Sequence, residues 1–149
     1  MLKKFLIVLL AATFVTLAGC GNSAKESAEK VTDLLNKQDW VGTWNMTSEE
    51  SKSKTEKKLN QLKSSPMGHQ LLSSFLNIAE SDIEKLTPQG YFVAILQKGA
   101  SANPSKTELI NVETNGNIAT ITTSKGGVKT ESEMIKEGSD WKVRLQFPE

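Results

Sequence analysis

The sequence predicts an α+β protein in which amino-terminal helices pack on one face of a curved, four-stranded antiparallel meander. Apolar residues recur at spacings of three and four through much of residues 23–98, as on one face of a helix. The carboxy-terminal third alternates in polarity and contains three glycine turn signals, as expected of hairpins. Because one face of the predicted sheet is apolar, the helices must cover it.

Residues 1–20 resemble the signal peptide of a bacterial lipoprotein. Lys3 and Lys4 precede a short apolar run, and residues 17–20 read Leu-Ala-Gly-Cys, like a lipobox. The run is shorter than the roughly 20 apolar residues of a transmembrane helix, and a plain secretory signal would not need this cysteine. The resemblance implies cleavage after Gly19 and attachment of membrane lipid to Cys20. We therefore expect an extracytoplasmic protein anchored to the cell membrane.

Cleavage would leave 130 of the 149 residues, a suitable size for one domain. Residues 20–22 would form the lipidated cysteine and a short tether, and residues 23–149 the domain, with helices over about 23–98 and the sheet over about 107–147. Without Lys3 and Lys4, the chain has 16 basic and 17 acidic side chains. Because there is no excess of positive charge, no nucleic-acid partner is expected. Cys20 and His69 are the only residues of their types, so we predict neither a metal site nor a cofactor.

The first helices have clear boundaries in the sequence. Ser23 and Glu26 have the spacing of a capping box, and the apolar positions that follow predict a helix over 24–37. Trp40 and Trp44 are four residues apart on one helical side. A core position is favoured for this pair, with a ligand-stacking platform as the alternative.

The middle of the chain predicts further helices. A second capping signature at residues 47–50 precedes the polar run 51–58, which is typical of a solvated helix face or a mobile segment. Thr87-Pro88 and Gly99 resemble the two ends of another helix. Residues 91–96 should then be buried on most sides, although their composition also suits a strand. A third apolar stripe comprises Leu71, Leu72, Phe75, Leu76 and Ala79.

Three dipeptides predict two-residue hairpin loops: Asn115-Gly116, Gly126-Gly127 and Gly138-Ser139. The resulting pairs are Val112–Ala119, Ile110–Ile121, Ala119–Met134, Ile121–Ser132, Thr123–Thr130, Met134–Val143, Ser132–Leu145 and Lys136–Trp141, with Glu133 opposite Arg144 on the other face. Side chains alternate between the two faces of a strand, so this register separates apolar from polar residues. The predicted inner face contains Ile110, Val112, Ala119, Ile121, Val128, Met134, Trp141, Val143, Leu145 and Phe147.

Two stretches of the meander carry a family resemblance. Gly116 to Ile121 has the form Gly-x-x-Ala-x-Ile, and Gly138 to Lys142 has the form Gly-x-x-Trp-Lys. With helices ahead of them, these strands resemble the nuclear transport factor 2-like (cystatin-like, cone-shaped) fold. In particular, the chain is similar to small bacterial lipoproteins that carry the domain of unknown function 4878. The resemblance implies a pocket on the concave face of the sheet.

The predicted inner face suggests where that pocket would lie. Thr123, Thr130 and Ser132 form a polar patch, and with Met134 and Tyr91 they make up the candidate pocket. A buried hydroxyl without a partner costs roughly 1–3 kcal/mol. These three groups should therefore bond to backbone, lie at the open end of the sheet, or line a wet cavity.

The expected function is a non-enzymatic binding module of the cell envelope, with an envelope protein, a wall component or a small ligand as partner. The alternative is an enzyme that uses Asp39, Tyr91 or His69 in the pocket. General acid–base catalysis needs a positioned pair of groups. The sequence assigns no acidic partner to His69, so no catalytic residue is predicted.

Overall fold

The computed structural model describes residues 23–146. Helices come first and an antiparallel sheet follows, as predicted. Gly19, Cys20 and Phe147 lie outside the described residues. The elements are α1 (Ala24–Asn36), α2 (Trp40–Asn45), α3 (Glu49–Lys63), α4 (Pro66–Leu76), α5 (Glu80–Ile83), α6 (Pro88–Ala102), β1 (Thr107–Asn115), β2 (Ile118–Lys125), β3 (Val128–Glu137) and β4 (Asp140–Arg144).

The predicted helix starts are confirmed by their hydrogen bonds. The Ser23 hydroxyl accepts from the Glu26 amide at 3.1 Å, and the Glu26 carboxylate accepts from the Ser23 amide at 2.7 Å. Thr87 caps α6 by accepting from the Gly90 amide, and Pro88 occupies its first turn. These side chains satisfy amides that have no partner within the helix, which fixes where each helix begins.

The polar run 51–58 is helical but not wholly solvated, so the expectation of a solvated face is wrong in part. Ser51 and Thr55 are buried in α3, respectively two turns and one turn before the buried Leu59. The Ser51 hydroxyl accepts from the Leu145 amide at 2.8 Å, and the Thr55 hydroxyl donates to the Ser51 carbonyl at 2.8 Å. Hydroxyls can occupy this interface because hydrogen bonds satisfy them.

Two predictions about the later helices are also wrong. Helix α6 does not stop at Gly99 but continues to Ala102, and only Phe92 of the run 91–96 is buried. In α4, Leu72 faces the core, whereas Leu71 and Phe75 are 56% and 47% exposed. Leu72 and Leu76 pack with Leu59 and Ile83, which covers one part of the apolar stripe and leaves Leu71 and Phe75 outside.

The sheet has the order β1-β2-β3-β4. Its second and third hairpins have the predicted register: Thr123 pairs with Thr130, and Met134 pairs with both Ala119 and Val143. Gly126 and Gly127 both have positive φ, as a type I′ turn requires. The pair Ser132–Leu145 lies beyond the observed end of β4.

The register predicted for the first hairpin is wrong. Asn115 pairs with Ile118, so the loop residues are Gly116 and Asn117, and Val112 lies opposite Ile121 instead of Ala119. The loop moves because Gly116 takes the positive φ at its first position, the pattern of a type II′ turn.

A register shift between Leu109 and Asn111 then changes which side chains face inward. The bulged Ile110 is 49% exposed, and Leu109 packs against the core in its place. Val128, also predicted to face inward, is 67% exposed beside the second hairpin turn.

Two hydrophobic clusters hold the described residues together. The first joins α1 to the sheet through Ala24, Ala28, Val31, Ala119, Ile121, Met134 and Trp141. The second is entirely helical and is centred on Leu59, Leu72 and Ile83. Among the helices, α1 therefore supplies the buried residues that cover the sheet, while α3, α4 and α5 bury their apolar residues largely against one another.

The outer edge of β4 is covered by the link between α2 and α3. The Val143 amide donates to the Met46 carbonyl at 2.7 Å, and the Ser48 amide donates to the Val143 carbonyl at 2.8 Å. Arg144 also bonds Glu50 of α3 and Glu133 of β3.

Between residues 23 and 146, no helix is long and apolar enough to cross a membrane.

Candidate functional site

The predicted pocket residues lie in two different parts of the structure. Thr123 and Thr130 pair across β2 and β3, where the Thr123 hydroxyl donates to the Thr130 carbonyl at 3.5 Å. Ser132 is half-buried opposite Ile121, and Met134 is fully buried in the first cluster. Tyr91 packs against the second cluster, where burial raises the pKa of its phenol. The structure therefore does not bring Tyr91 to the hydroxyl patch.

The three candidate acid–base residues are held by different neighbours. Asp39 caps α2 by accepting from the Gly42 amide at 2.8 Å. His69 donates from Nε2 to the Lys63 carbonyl at 2.7 Å, so it satisfies an otherwise free group at the end of α3. No hydrogen bond or ion pair joins any two of Asp39, His69 and Tyr91 within the described chain.

His69 nevertheless has a carboxylate nearby, which the sequence did not reveal. Glu84 Oε1 lies 3.5 Å from His69 Nε2, and both side chains are partly exposed. His69 also lines an open depression of about 370 Å³ between the end of α3 and the start of α4. Since Nε2 already bonds to the Lys63 carbonyl at the shorter distance, this geometry mainly ties α4 to α3.

A second concave site, a cleft of about 390 Å³, has a larger apolar surface than the depression beside His69. We call it the α1–α6 cleft because the end of α1 and the end of α6 form its walls, with the start of β1 and the end of β2 at its rim. Its volume is within the roughly 300–1,000 Å³ typical of small-molecule sites. The apolar residues that line it are Leu35, Trp40, Ile95, Leu96, Ala100 and Pro104.

Local interactions build the cleft. Asn36, the last residue of α1, exchanges two hydrogen bonds of 2.8 Å with the backbone of Thr107 and so fixes α1 to the start of β1. Gln38 follows with a φ of 57°, a left-handed conformation that ends the helix and turns the chain towards Trp40. The turn of α6 beyond Gly99 completes the opposite wall.

Trp40 and Trp44 do not form a shared stacking platform. Trp40 is largely buried and lines the α1–α6 cleft. Trp44 packs against Phe92 of α6, with ring centroids 5.2 Å apart and planes inclined at 54°. The contact between Trp44 and Phe92 therefore joins α2 to α6. Of the two tryptophans, only Trp40 borders the cleft.

Polar groups concentrate at one end of the cleft, near the β2–β3 turn. Thr107 pairs with Lys125, and Lys106 precedes Thr107, so both lysines are brought to this rim. A Cβ built on Gly126 would lie 3.2 Å from Ser105 Oγ and 3.8 Å from Asn103 Nδ2. The sequence did not reveal this site because its walls come from α1 and α6, which are remote from each other in the chain. Its one direct signal was Trp40.

Groups of three or more His, Cys, Asp or Glu side chains that could hold a metal ion are absent from residues 23–146. Comparisons with protein-family models, with curated proteins and with solved structures find no match.

Proposed function

We propose that the chain is a lipid-anchored binding module of the cell envelope, and that the α1–α6 cleft binds a small molecule with an apolar part. The observation that carries this proposal is the cleft itself, in which apolar walls from two helices meet a polar rim. Small-molecule sites typically combine such walls with a few polar groups that orient the ligand. We further propose a nuclear transport factor 2-like fold, which the order of helices and meander supports.

The proposed anchor is Cys20, on the extracytoplasmic side of a membrane. The capping box at Ser23 supports this placement, because it begins α1 four residues after that cysteine. Three residues span at most about 11 Å, so the domain would lie close to the bilayer. Two acyl chains would hold it there stably.

Labelling with a palmitate analogue tests the anchor. We expect label in the wild-type protein and in Gly21→Ser, and none in Cys20→Ala, which should also leave the membrane fraction. Retention of label by Cys20→Ala would show that lipid is attached elsewhere.

Photocrosslinking tests the cleft in the membrane-bound protein. The probe is decanol carrying a diazirine, and mass spectrometry locates its attachment. We expect crosslinks on Trp40 and on the end of α6. In the Gly99→Phe variant these crosslinks should disappear, because a Cβ at Gly99 meets no atom within 4 Å and the new ring can occupy the cleft. Met67→Phe adds the same ring at an exposed position of α4 outside the cleft and should leave the crosslinks unchanged. Cleft crosslinks that persist in Gly99→Phe, or that never form, would contradict the proposal.

A second candidate function, an enzyme, rests on His69 and Glu84 in their open depression. The neutral imidazole that donates from Nε2 would present Nδ1 as a base. Activity towards a panel of ester substrates that falls in His69→Gln and Glu84→Gln but not in Gly99→Phe would favour this function. Equal activity in all variants would exclude it for that panel.

A further inference from the structure

We propose that the ligand of the α1–α6 cleft is a single-chain amphipathic anion, an alkyl carboxylate, whose head group lies between Lys106 and Lys125. This inference rests on the proposed function and specifies its ligand class. The head group would meet the polar rim, and the alkyl chain would lie along Leu35, Trp40 and Leu96.

The first argument is the charge of the cleft. Lys106 and Lys125 both line it, whereas its lining includes no aspartate or glutamate. Neither lysine ammonium lies within 4 Å of a carboxylate in the described part of the chain, although Lys25, Lys37, Lys52, Lys54 and Lys85 do form such pairs. The rim therefore carries two positive charges that can interact with a bound anion.

The second argument is the arrangement of neutral donors beside these charges. The Asn103 side chain uses Oδ1 to accept from the Ser105 amide at 3.2 Å, which leaves its Nδ2 hydrogens for another acceptor. The Asn103 amide and the Ser105 hydroxyl both approach Gly126, the residue after Lys125. Two ammonium groups, an amide and a hydroxyl thus occupy one end of the cleft, and a carboxylate accepts from all of these donor types.

The third argument is the apolar extent of the site. The side chains of Leu35, Trp40, Ile95 and Leu96 extend the cleft away from the lysines. Its volume of about 390 Å³ exceeds the roughly 150 Å³ cavity that admits a benzene molecule. Lys125 is half-buried on the face of the sheet that carries Thr123, so its methylene stem can line the apolar part while its ammonium stays at the rim. This combination selects an alkyl chain with one charged end.

The test uses three photoreactive probes of equal chain length on the full chain in uncharged phosphatidylcholine vesicles: decanoate, decanol and decyltrimethylammonium. The probe concentration that gives half-maximal crosslinking in the cleft measures apparent affinity. We expect decanoate to bind about tenfold more tightly than decanol, and the ammonium probe to bind most weakly. The exposed Lys106 and the half-buried Lys125 each contribute a few-fold, which gives this magnitude.

The decisive variant is Lys106→Gln/Lys125→Gln. It should weaken decanoate about tenfold to the level of decanol, and leave decanol unchanged. Lys57→Gln/Lys58→Gln removes the same charge from exposed positions of α3 and should change neither probe. The comparison of one probe between variants is independent of its partition into the vesicles. For the comparison between probes, each concentration is first corrected for the partition measured with protein-free vesicles.

The outcomes separate the ligand class from the site. Equal binding of decanoate and decanol in the wild type, or a decanoate affinity that the lysine variant does not change, would overturn the carboxylate assignment while the cleft remained a binding site. Loss of cleft crosslinking by all three probes would overturn both the assignment and the proposed function. Decanoate binding that is lost in Gly99→Phe and weakened in the lysine variant supports both.

Discussion

At the scale of single residues, the Ser51 hydroxyl connects three parts of the chain. It lies in α3, accepts from the Ser48 hydroxyl at 2.9 Å, and accepts from the Leu145 amide at 2.8 Å. Ser51 and Ser48 are both fully buried, so water cannot replace these bonds. A buried donor that loses its acceptor bears the full cost of its desolvation.

Substitution of Ser51 should therefore destabilise the fold although it removes a single oxygen. We expect Ser51→Ala to lower the free energy of unfolding by about 1–3 kcal/mol, because the Leu145 amide and the Ser48 hydroxyl lose their acceptor. Urea denaturation followed by circular dichroism measures the change. Ser53→Ala, two residues away on the exposed side of α3, should change stability by less than about 0.5 kcal/mol. Equal effects of the two variants would contradict the proposed role of the hydroxyl.

Glu50 supplies a pH-dependent link between α3 and the sheet. Hydrogen bonds from Lys54 and Arg144 hold the pKa of its carboxyl below the usual value. A carboxyl whose pKa is lower in the folded state stabilises the fold above its unfolded pKa. That contribution is lost as the pH falls through the folded pKa.

Titration of Glu50 by nuclear magnetic resonance checks this coupling. Its carboxyl carbon should titrate below the ordinary glutamate range in the wild-type protein. Lys54→Gln and Arg144→Gln should each raise the pKa, whereas Lys57→Gln should not change it. An unchanged pKa in both of the first two variants would mean that solvent screens these contacts.

At the scale of elements, α3 and α4 approach each other so closely that one glycine is required. A Cβ on Gly68 would lie 1.9 Å from the carbonyl oxygen of Leu62, and backbone cannot move aside as a flexible side chain can. Gly99, inside α6, is different because a Cβ there meets no atom within 4 Å. Substitution by alanine should therefore have opposite effects on stability at Gly68 and at Gly99.

We expect Gly68→Ala to destabilise the protein by about 2–3 kcal/mol through overpacking. Gly99→Ala should instead stabilise it by about 0.5–1 kcal/mol, since alanine is the better residue inside a helix. Thermal unfolding of the two variants measures both changes. A stable Gly68→Ala protein would mean that α4 can move away from the end of α3.

Helix ends that are fixed by neighbouring residues could be predicted from the sequence. Features that depend on contacts between remote parts of the chain could not. The capping box at Ser23 and the Thr87-Pro88 start are short-range signals, and both helix starts are confirmed. The register predicted for the first hairpin was wrong because Asn115-Gly116 permits two loop positions in sequence. The bulge at Ile110 was not predicted because the contact of Leu109 with the cluster that contains α1 is remote in sequence. The buried Ser51 was predicted to be solvated for a similar reason. The Leu145 amide that bonds its hydroxyl is remote in sequence.

At the scale of the whole molecule, the α1–α6 cleft lies beside the first hydrophobic cluster. Leu35 lines the cleft and packs against that cluster, whereas Ile95 and Leu96 of α6 line the cleft and belong to neither cluster. The sequence predicts helices on one face of the sheet, but it does not predict that the end of α6 shares a cleft with the end of α1. Spacing reveals which face of a helix is apolar, but it does not reveal which partner covers that face.

The direction of α1 relates the cleft to the proposed anchor. Asn36 bonds Thr107 at the start of β1, while Lys25 and Glu29 line a depression with residues 109–112 further along that strand. Helix α1 therefore runs antiparallel to β1. Its 13 residues span about 20 Å, with Ser23 at one end and the cleft at the other.

Energy transfer to a dye in the bilayer tests the resulting orientation. A lipidated Cys20 leaves no free thiol, so one added cysteine labels one site. We expect stronger transfer from Asn117→Cys, in the β1–β2 turn, than from Lys129→Cys beside the β2–β3 turn, because these turns lie at opposite ends of the sheet. Equal transfer from both sites would mean that α1 lies flat on the membrane.

An upright α1 would make the protein a spacer of fixed height. The cleft would then open about one helix length above the lipid head groups. A ligand would enter from the aqueous layer or from another surface facing the membrane, and not by lateral diffusion within the leaflet that holds the anchor. The capping box at Ser23 would set this height, since it decides where the rigid part of the chain begins.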